Sequence, residues 1–217
     1  MNIRSFQITV SESLGAVSAE IVSGNEIKAV LTLAHGAGAG MNHSFMVSLA
    51  NALADEGIAT IRFNFPYMEQ KKKRVDVPAI AHKTVEVIFK KTHELFPATQ
   101  IFASGKSFGG RMNSQYLSND TPAFIKGIIF YGFPLHPAGK PAADRAEHLK
   151  KINLPMLFLQ GTRDELAQWP LIEQVTNDLP TATLFKIEGA DHSFKAGKQN
   201  TITQLVEATT NWIAIQK

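Results

Sequence analysis

Ser107 stands in the run Gly105-Lys106-Ser107-Phe108-Gly109-Gly110, with glycine two places before it and two places after it. A serine hydroxyl is a weak nucleophile unless a base takes its proton, and the base needs a partner that holds its tautomer and orientation. Two later loops offer those groups. Asp164 lies in Gly161-Thr162-Arg163-Asp164-Glu165, after the apolar run Pro155 to Gln160, and His192 lies in Gly189-Ala190-Asp191-His192-Ser193-Phe194, after the run that ends at Ile187. Nucleophile, acid and base thus follow one another as Ser107, Asp164 and His192, and the chemistry they imply is attack on an acyl carbonyl.

These groups need platforms. Gln100 to Ser104 has the composition of a strand and leads directly into the serine turn, and helical periodicity starts at Phe108. In a strand–turn–helix of this kind small residues at 105 and 109 let neighbouring backbones approach, so that the serine projects over the sheet. The helix N-terminus then faces the hydroxyl, and the Phe108 N–H is placed to stabilise negative charge developing on a substrate oxygen. Two rival readings are disfavoured by spacing. A phosphate-binding P-loop ending in Gly105-Lys106-Ser107 would need glycine at 100, where Gln100 stands, and Ile101-Phe102-Ala103 reads as strand. A dinucleotide fingerprint built on Gly36 and Gly38 would need glycine or alanine at 41, where Met41 stands.

From about residue 30 onward, short apolar runs alternate with longer helical segments, the signature of parallel strands with crossover helices. The strand candidates are Ala29 to Ala34, Ala59 to Phe65, Gln100 to Ser104, Ile125 to Tyr131, Pro155 to Gln160 and Thr183 to Ile187. Helices are expected at Ser44 to Glu56, Asp76 to Leu95, Phe108 to Ser118, Pro170 to Asp178 and Thr201 to Ile215. Ser5 to Val22 alternates as a half-exposed edge hairpin does. The fold class is therefore α/β, a doubly wound, mostly parallel sheet of about six to eight strands with helices on both faces. The expected organisation is a single domain over residues 1–217 with no lid domain, and the irregular stretch Phe133 to Glu147 is a loop of a length that tends to carry function.

Several residues compete for roles. His136 also follows a strand and rivals His192 as base, but it precedes the acid and is read as lining the pocket. Glu165 and Asp191 rival Asp164, although Asp191 adjoins His192 and would have difficulty facing its ring. Lys106 and Arg111 flank the serine and are read as pointing away along the helix or into solvent. Asn42 or Ser44 is expected to cap the helix after the glycine-rich loop. The basic run Lys71-Lys72-Lys73-Arg74 reads as a solvated loop before it reads as an anion site.

With 217 residues, 44% of them hydrophobic, the chain can bury one sizeable core. Its formal charge of +3 arises from 22 basic against 19 acidic residues spread along the sequence, a balance that does not imply nucleic acid. No apolar run reaches the roughly 18 residues a membrane span needs, and no secretory signal is expected at Met1 to Val10. The chain has no cysteine, hence no thiolate metal site, which fits a cytoplasmic protein. No metal and no cofactor are expected, and the oligomeric state is left as monomer or homodimer.

HGAGAG, GKSFGGR, GFPLHPAGK, QGTRDE and GADHSF, in that order, resemble the α/β-hydrolase superfamily from about residue 27 to the end. More narrowly they look like a branch of small, lidless serine hydrolases that is distantly related to dienelactone hydrolases and includes the testis-expressed and NSL-complex regulatory proteins. The resemblance implies the triad Ser107, Asp164 and His192, and it makes the Ala37 N–H, with Gly38 next in line, the second donor of an oxyanion hole beside Phe108. It also implies an open, shallow pocket, for which Gly36, Gly38, Tyr67, Met68, Phe133, Leu135 and His136 are the expected substrate-binding residues. The expected activity is hydrolysis of a small ester or thioester through an acyl-enzyme. Dienelactone hydrolases proper use a cysteine nucleophile, so their substrate is not carried over. Because some relatives are scaffold subunits, a catalytically silent partner-binding module is the alternative.

Overall fold

The computed structural model of the chain describes residues 1–216. Its strands are β1 (Asn2–Ser11), β2 (Gly15–Ser23), β3 (Ala29–Ala34), β4 (Ile58–Phe63), β5 (Gln100–Lys106), β6 (Ile125–Tyr131), β7 (Met156–Gly161) and β8 (Ala182–Ile187). They form one sheet in the order β1-β2-β4-β3-β5-β6-β7-β8. β3 to β8 run parallel, while β1 and β2 make an antiparallel hairpin added beside β4. Glu20 stands opposite Arg62 in that last pairing, and the two form an ion pair that pins the hairpin to the parallel sheet.

The helices are α1 (Ser44–Asp55), α2 (Pro66–Glu69), α3 (Pro78–Leu95), α4 (Phe108–Leu117), α5 (Trp169–Asn177) and α6 (Thr201–Ala214), with a 3-10 helix at Asp144–Lys151. α1 and α6 pack on one face of the sheet and α3, α4 and α5 on the other, so the expected doubly wound, mostly parallel architecture is the one that forms. β3, β4 and β7 are buried on every residue because both faces are covered. β8 alternates instead, as an edge strand does. Among the described residues no helix is long and apolar enough to cross a membrane.

Element boundaries differ from the sequence expectation for local reasons. β4 ends at Phe63, not Phe65, because the Phe65 N–H leaves the ladder and donates to Nε2 of His35 (3.1 Å), after which Pro66 opens α2. α3 starts at Pro78, whose fixed φ suits the first helical turn, and not at Asp76, whose carboxylate instead accepts the Tyr67 N–H. The cap of α1 is neither Asn42 nor Ser44: Nδ1 of His43 accepts the Phe45 N–H. Part of the expected loop Phe133 to Glu147 joins the 3-10 helix.

Parallel pairing sets the carboxyl ends of β3, β5, β6, β7 and β8 along one edge, with Ala34 opposite Gly105, Gly105 opposite Phe130, Tyr131 opposite Leu159 and Gly161 opposite Ile187. Every loop that follows these strands therefore leaves the sheet on the same side. The β5–α4 turn lies closest to its neighbours. A Cβ on Gly109 would sit 2.6 Å from the Ala34 carbonyl oxygen, and one on Gly105 would sit 2.4 Å from the Gly110 nitrogen. Neither backbone can yield as a side chain would. Gly109→Ala is expected to lower stability by ~1–3 kcal/mol through overpacking, read from the urea midpoint. Gly36→Ala, whose Cβ would meet nothing nearer than 3.5 Å, is the control expected to move it far less.

Candidate active site

Ser107 ends the β5 turn at φ 49°, ψ −112°, a left-handed conformation that a serine adopts only under constraint. Its own N–H is held by the Tyr131 carbonyl (3.3 Å) and α4 starts at the next residue, so the side chain stands at the carboxyl edge of the sheet. Nε2 of His192 lies 2.9 Å from its Oγ, and Nδ1 of the same ring lies 2.7 Å from Oδ2 of Asp164. An acceptor carboxylate on Nδ1 makes that nitrogen the proton-bearing one and leaves Nε2 free to accept from the serine hydroxyl.

Asp164 is buried, and both of its oxygens have donors besides the imidazole. The Leu166 N–H donates to Oδ1 (2.8 Å), and Nε2 of Gln160 donates to Oδ2 (2.6 Å). Gln160 is itself held, its Oε1 accepting the Phe133 N–H (2.9 Å). The rivals for the acid are occupied elsewhere. Oδ1 of Asp191 accepts the N–H groups of Ser193 (2.8 Å) and Lys195 (2.9 Å), shaping the loop that carries His192, while Glu165 is exposed.

The glycine-rich loop after β3 is clamped from beneath. Nδ1–H of the buried His35 donates to the Gly36 carbonyl (2.8 Å), and the Tyr67 hydroxyl donates to the same oxygen (3.3 Å). Because the Gly36–Ala37 peptide is trans, a carbonyl held inward turns the Ala37 N–H the opposite way. Among the described residues neither the Ala37 nor the Phe108 N–H has an acceptor. Burial lowers the His35 imidazole to about 4 and pushes the Tyr67 hydroxyl up to about 12, so both are neutral clamps.

Beside Ser107 and His192 opens a cavity of about 270 Å³, lined by Gly36, Ala37 and Ala39, by His43, Phe45 and Met46 of α1 and its cap, and by Lys106, Leu166 and Ser193. Several sequence expectations are corrected here. Phe133 and Leu135 are buried: Phe133 packs against Phe130 and Phe158 in the core. His136 is buried as a strut, with its backbone N–H on the Leu166 carbonyl (3.0 Å) and its Nε2 accepting the Gln168 N–H (3.3 Å). The loop they occupy folds beneath the Asp164 loop, so Leu166 reaches the cavity in their place. Tyr67 is buried against Phe108, half-buried Met68 lies under Gly40, and Gly38 is the turn residue of its loop at φ 74°; none of the three lines the cavity.

Lys106 is also corrected. It does not point away: its ammonium donates to the His192 carbonyl and lies over the Phe194 ring at 5.1 Å. Arg111 does stay off the cavity and lines a separate cleft with Arg74 and Asp76. Lys71 to Arg74 form an exposed loop. The residues that sequence reading missed are His35, Gln160 and the α1 wall. A polar residue closing a mostly apolar strand was the available sign for His35 and Gln160; Phe45 and Met46 look like ordinary helix-face residues and had none.

A model of the alpha/beta hydrolase domain family matches residues 27–215. Among solved structures, an alpha-beta serine hydrolase homologue from Coxiella burnetii superposes with a TM-score of 0.78 at 20% identity, over 98% of each chain. A serine hydrolase without a lid from Xanthomonas campestris gives 0.76 at 17% identity, over 98% of this chain and 95% of its own. Dienelactone hydrolase from Anabaena variabilis gives 0.77 at 18% identity, over 100% and 99%.

Buried His35 and half-buried His148 carry a pH consequence. Both are lowered to about 4 mainly by burial, so between about 6.5 and about 4 the unfolded chain binds protons that the folded chain does not. Stability is therefore expected to fall as pH drops through that window, by up to ~1.4 kcal/mol per pH unit for His35 and by less for His148, which water reaches in part. Urea unfolding at pH 7, 6 and 5 measures it, and a flat profile would contradict it.

Proposed function

The chain belongs to the alpha/beta hydrolase family, and from that premise we propose that it is a serine hydrolase that cleaves a small ester or thioester through an acyl-enzyme. The observation that carries this reading is a single imidazole within hydrogen-bond reach of both a serine hydroxyl (2.9 Å) and a buried carboxylate (2.7 Å). As Oγ of Ser107 attacks the acyl carbonyl, Nε2 of His192 takes its proton, and the positive charge that forms on the ring faces Asp164. The carbonyl π pair moves onto oxygen, where the N–H groups of Ala37 and Phe108 receive the negative charge. His192 then returns the proton to the departing alkoxide or thiolate. A water, deprotonated by the same ring, attacks the acyl-enzyme and releases the acid and free Ser107.

The strain stored at Ser107 supports a catalytic role. A left-handed serine costs on the order of 1–3 kcal/mol, a cost with no use in a turn that only connects a strand to a helix. The cavity supports this choice of substrate class. At about 270 Å³ with an apolar wall of Phe45, Met46 and Leu166, it falls just below the roughly 300–1,000 Å³ that ligand sites span. A short acyl or alkyl group fits such a space.

A fluorophosphonate probe is expected to label Ser107 of the folded protein and to leave Ser107→Ala unlabelled; an unlabelled wild-type protein would refute the reading. Against p-nitrophenyl esters, acetate and butyrate should be turned over faster than dodecanoate. His192→Ala and Asp164→Asn are expected to lower kcat by about 10⁴-fold or more. Tyr67→Phe, which removes one of the two donors to the Gly36 carbonyl, should lower kcat roughly tenfold with little change in KM, since an oxyanion forms only in the transition state.

A further inference from the structure

Lys106 is a cation that the acyl-transfer steps leave without a task. It follows Gly105 on β5, and a side chain there is ordinarily free to reach solvent. Instead its ammonium is turned inward, bonded to the main-chain carbonyl of His192 and set over the Phe194 ring. How near it lies to the reacting groups can be read from Gly132: a Cβ placed on that glycine would be 3.0 Å from Nζ of Lys106, 3.7 Å from Oδ2 of Asp164 and 3.7 Å from Cε1 of His192. One methyl-sized space thus touches all three side chains. Gly132 itself has a φ of 74°, so the absence of a side chain there belongs to the local backbone and keeps this space open.

Resting on the serine-hydrolase reading, we propose that Lys106 is a positioning residue: its ammonium fixes the loop that carries His192, so that the imidazole keeps its place between Ser107 and Asp164. The hydrogen bond does this. His192 belongs to the loop that follows the edge strand β8 and packs on the end of β7, where a Cβ on Gly161 would meet the Ala190 carbonyl, and the Lys106 contact ties it further across the sheet to the strand that bears the nucleophile. A bond from a charged donor is roughly twice as strong as one between neutral groups.

The charged groups facing this pair are few. Asp164 approaches from the β7 loop and Asp191 from the His192 loop, and both favour the ammonium; His43 lines the cavity from the α1 cap. Burial draws the Lys106 ammonium down to about 8 against the pull of those two carboxylates. The charged donor is thus present at pH 7. Without it, the His192 loop should lose its tie to β5, and the imidazole its fixed place beside Ser107.

The experiment compares wild type with Lys106→Met, which lacks both charge and donor, and Lys106→Gln, which keeps a donor for the His192 carbonyl. Circular dichroism verifies folding of each. kcat and KM for p-nitrophenyl acetate are recorded at pH 7, and hydrogen exchange of the Ser193 and Lys195 amides, which belong to the His192 loop, is followed in parallel. Lys106→Met is expected to lower kcat roughly tenfold with KM little changed and to speed exchange in the loop, and Lys106→Gln to recover most of both. A kcat and a loop exchange equal to wild type in Lys106→Met would overturn the proposal, and so would losses that Lys106→Gln does not restore. The exchange readout does not require turnover. A wild-type protein that neither reacts with fluorophosphonate nor cleaves the ester would therefore remove the hydrolase reading, while the Lys106 effect on the His192 loop would still be decided.

Discussion

A serine hydroxyl stands clear of this sheet only because backbones touch beneath it. Gly109 lies against the Ala34 carbonyl and Gly105 against the Gly110 nitrogen at distances that leave no room for a Cβ. That contact brings α4 down onto β3 and β5, turns the chain so sharply that Ser107 takes a positive φ, and aims the first N–H groups of the helix at the hydroxyl. The strain of order 1–3 kcal/mol is small beside the surrounding core. Burying a single aromatic side chain of the kind found at Phe130 or Phe158 contributes about as much.

Around that turn, polar side chains in buried places act as struts. Gln160 joins the Phe133 N–H to Asp164, His35 joins the Phe65 N–H to the Gly36 carbonyl, and His136 joins the Gln168 N–H to the Pro137 carbonyl in the loop after β6. Each bonds main chain on one side and a loop at the sheet edge on the other. An unpaired polar group in such a place costs ~1–3 kcal/mol, so each strut resists any loop movement that would break it. Asp164 and the Gly36 carbonyl are therefore held by partners that are themselves held, which leaves this edge of the sheet little freedom to reorganise.

Opposite the triad, the cavity wall comes from α1 and not from the loop after β6. Phe45 stacks on Phe194 at 5.6 Å, two residues beyond His192, so the cavity wall and the loop that carries His192 form one packed unit. The aromatic pair thus couples the shape of the cavity to the position of the imidazole. A change at Phe45 reaches both.

Much of the fold was legible in the sequence because parallel strands covered on two faces are continuously apolar, and the helices between them repeat every three to four residues. Strand ends were less so, since β4 stops where a buried histidine from another strand takes the Phe65 N–H, a contact no local pattern records. Residue type, spacing and chain order singled out Ser107, Asp164 and His192, because turn, acid and base each follow a strand and all parallel strands end on one side. Tertiary structure alone decided which way the side chains between them face: that Phe133, Leu135, His136 and Tyr67 turn inward, that Leu166 and Phe45 form the wall, and that Lys106 lies under the His192 loop. Strand order and loop packing set those directions through partners far away in the chain, whereas sequence periodicity reports only on neighbours.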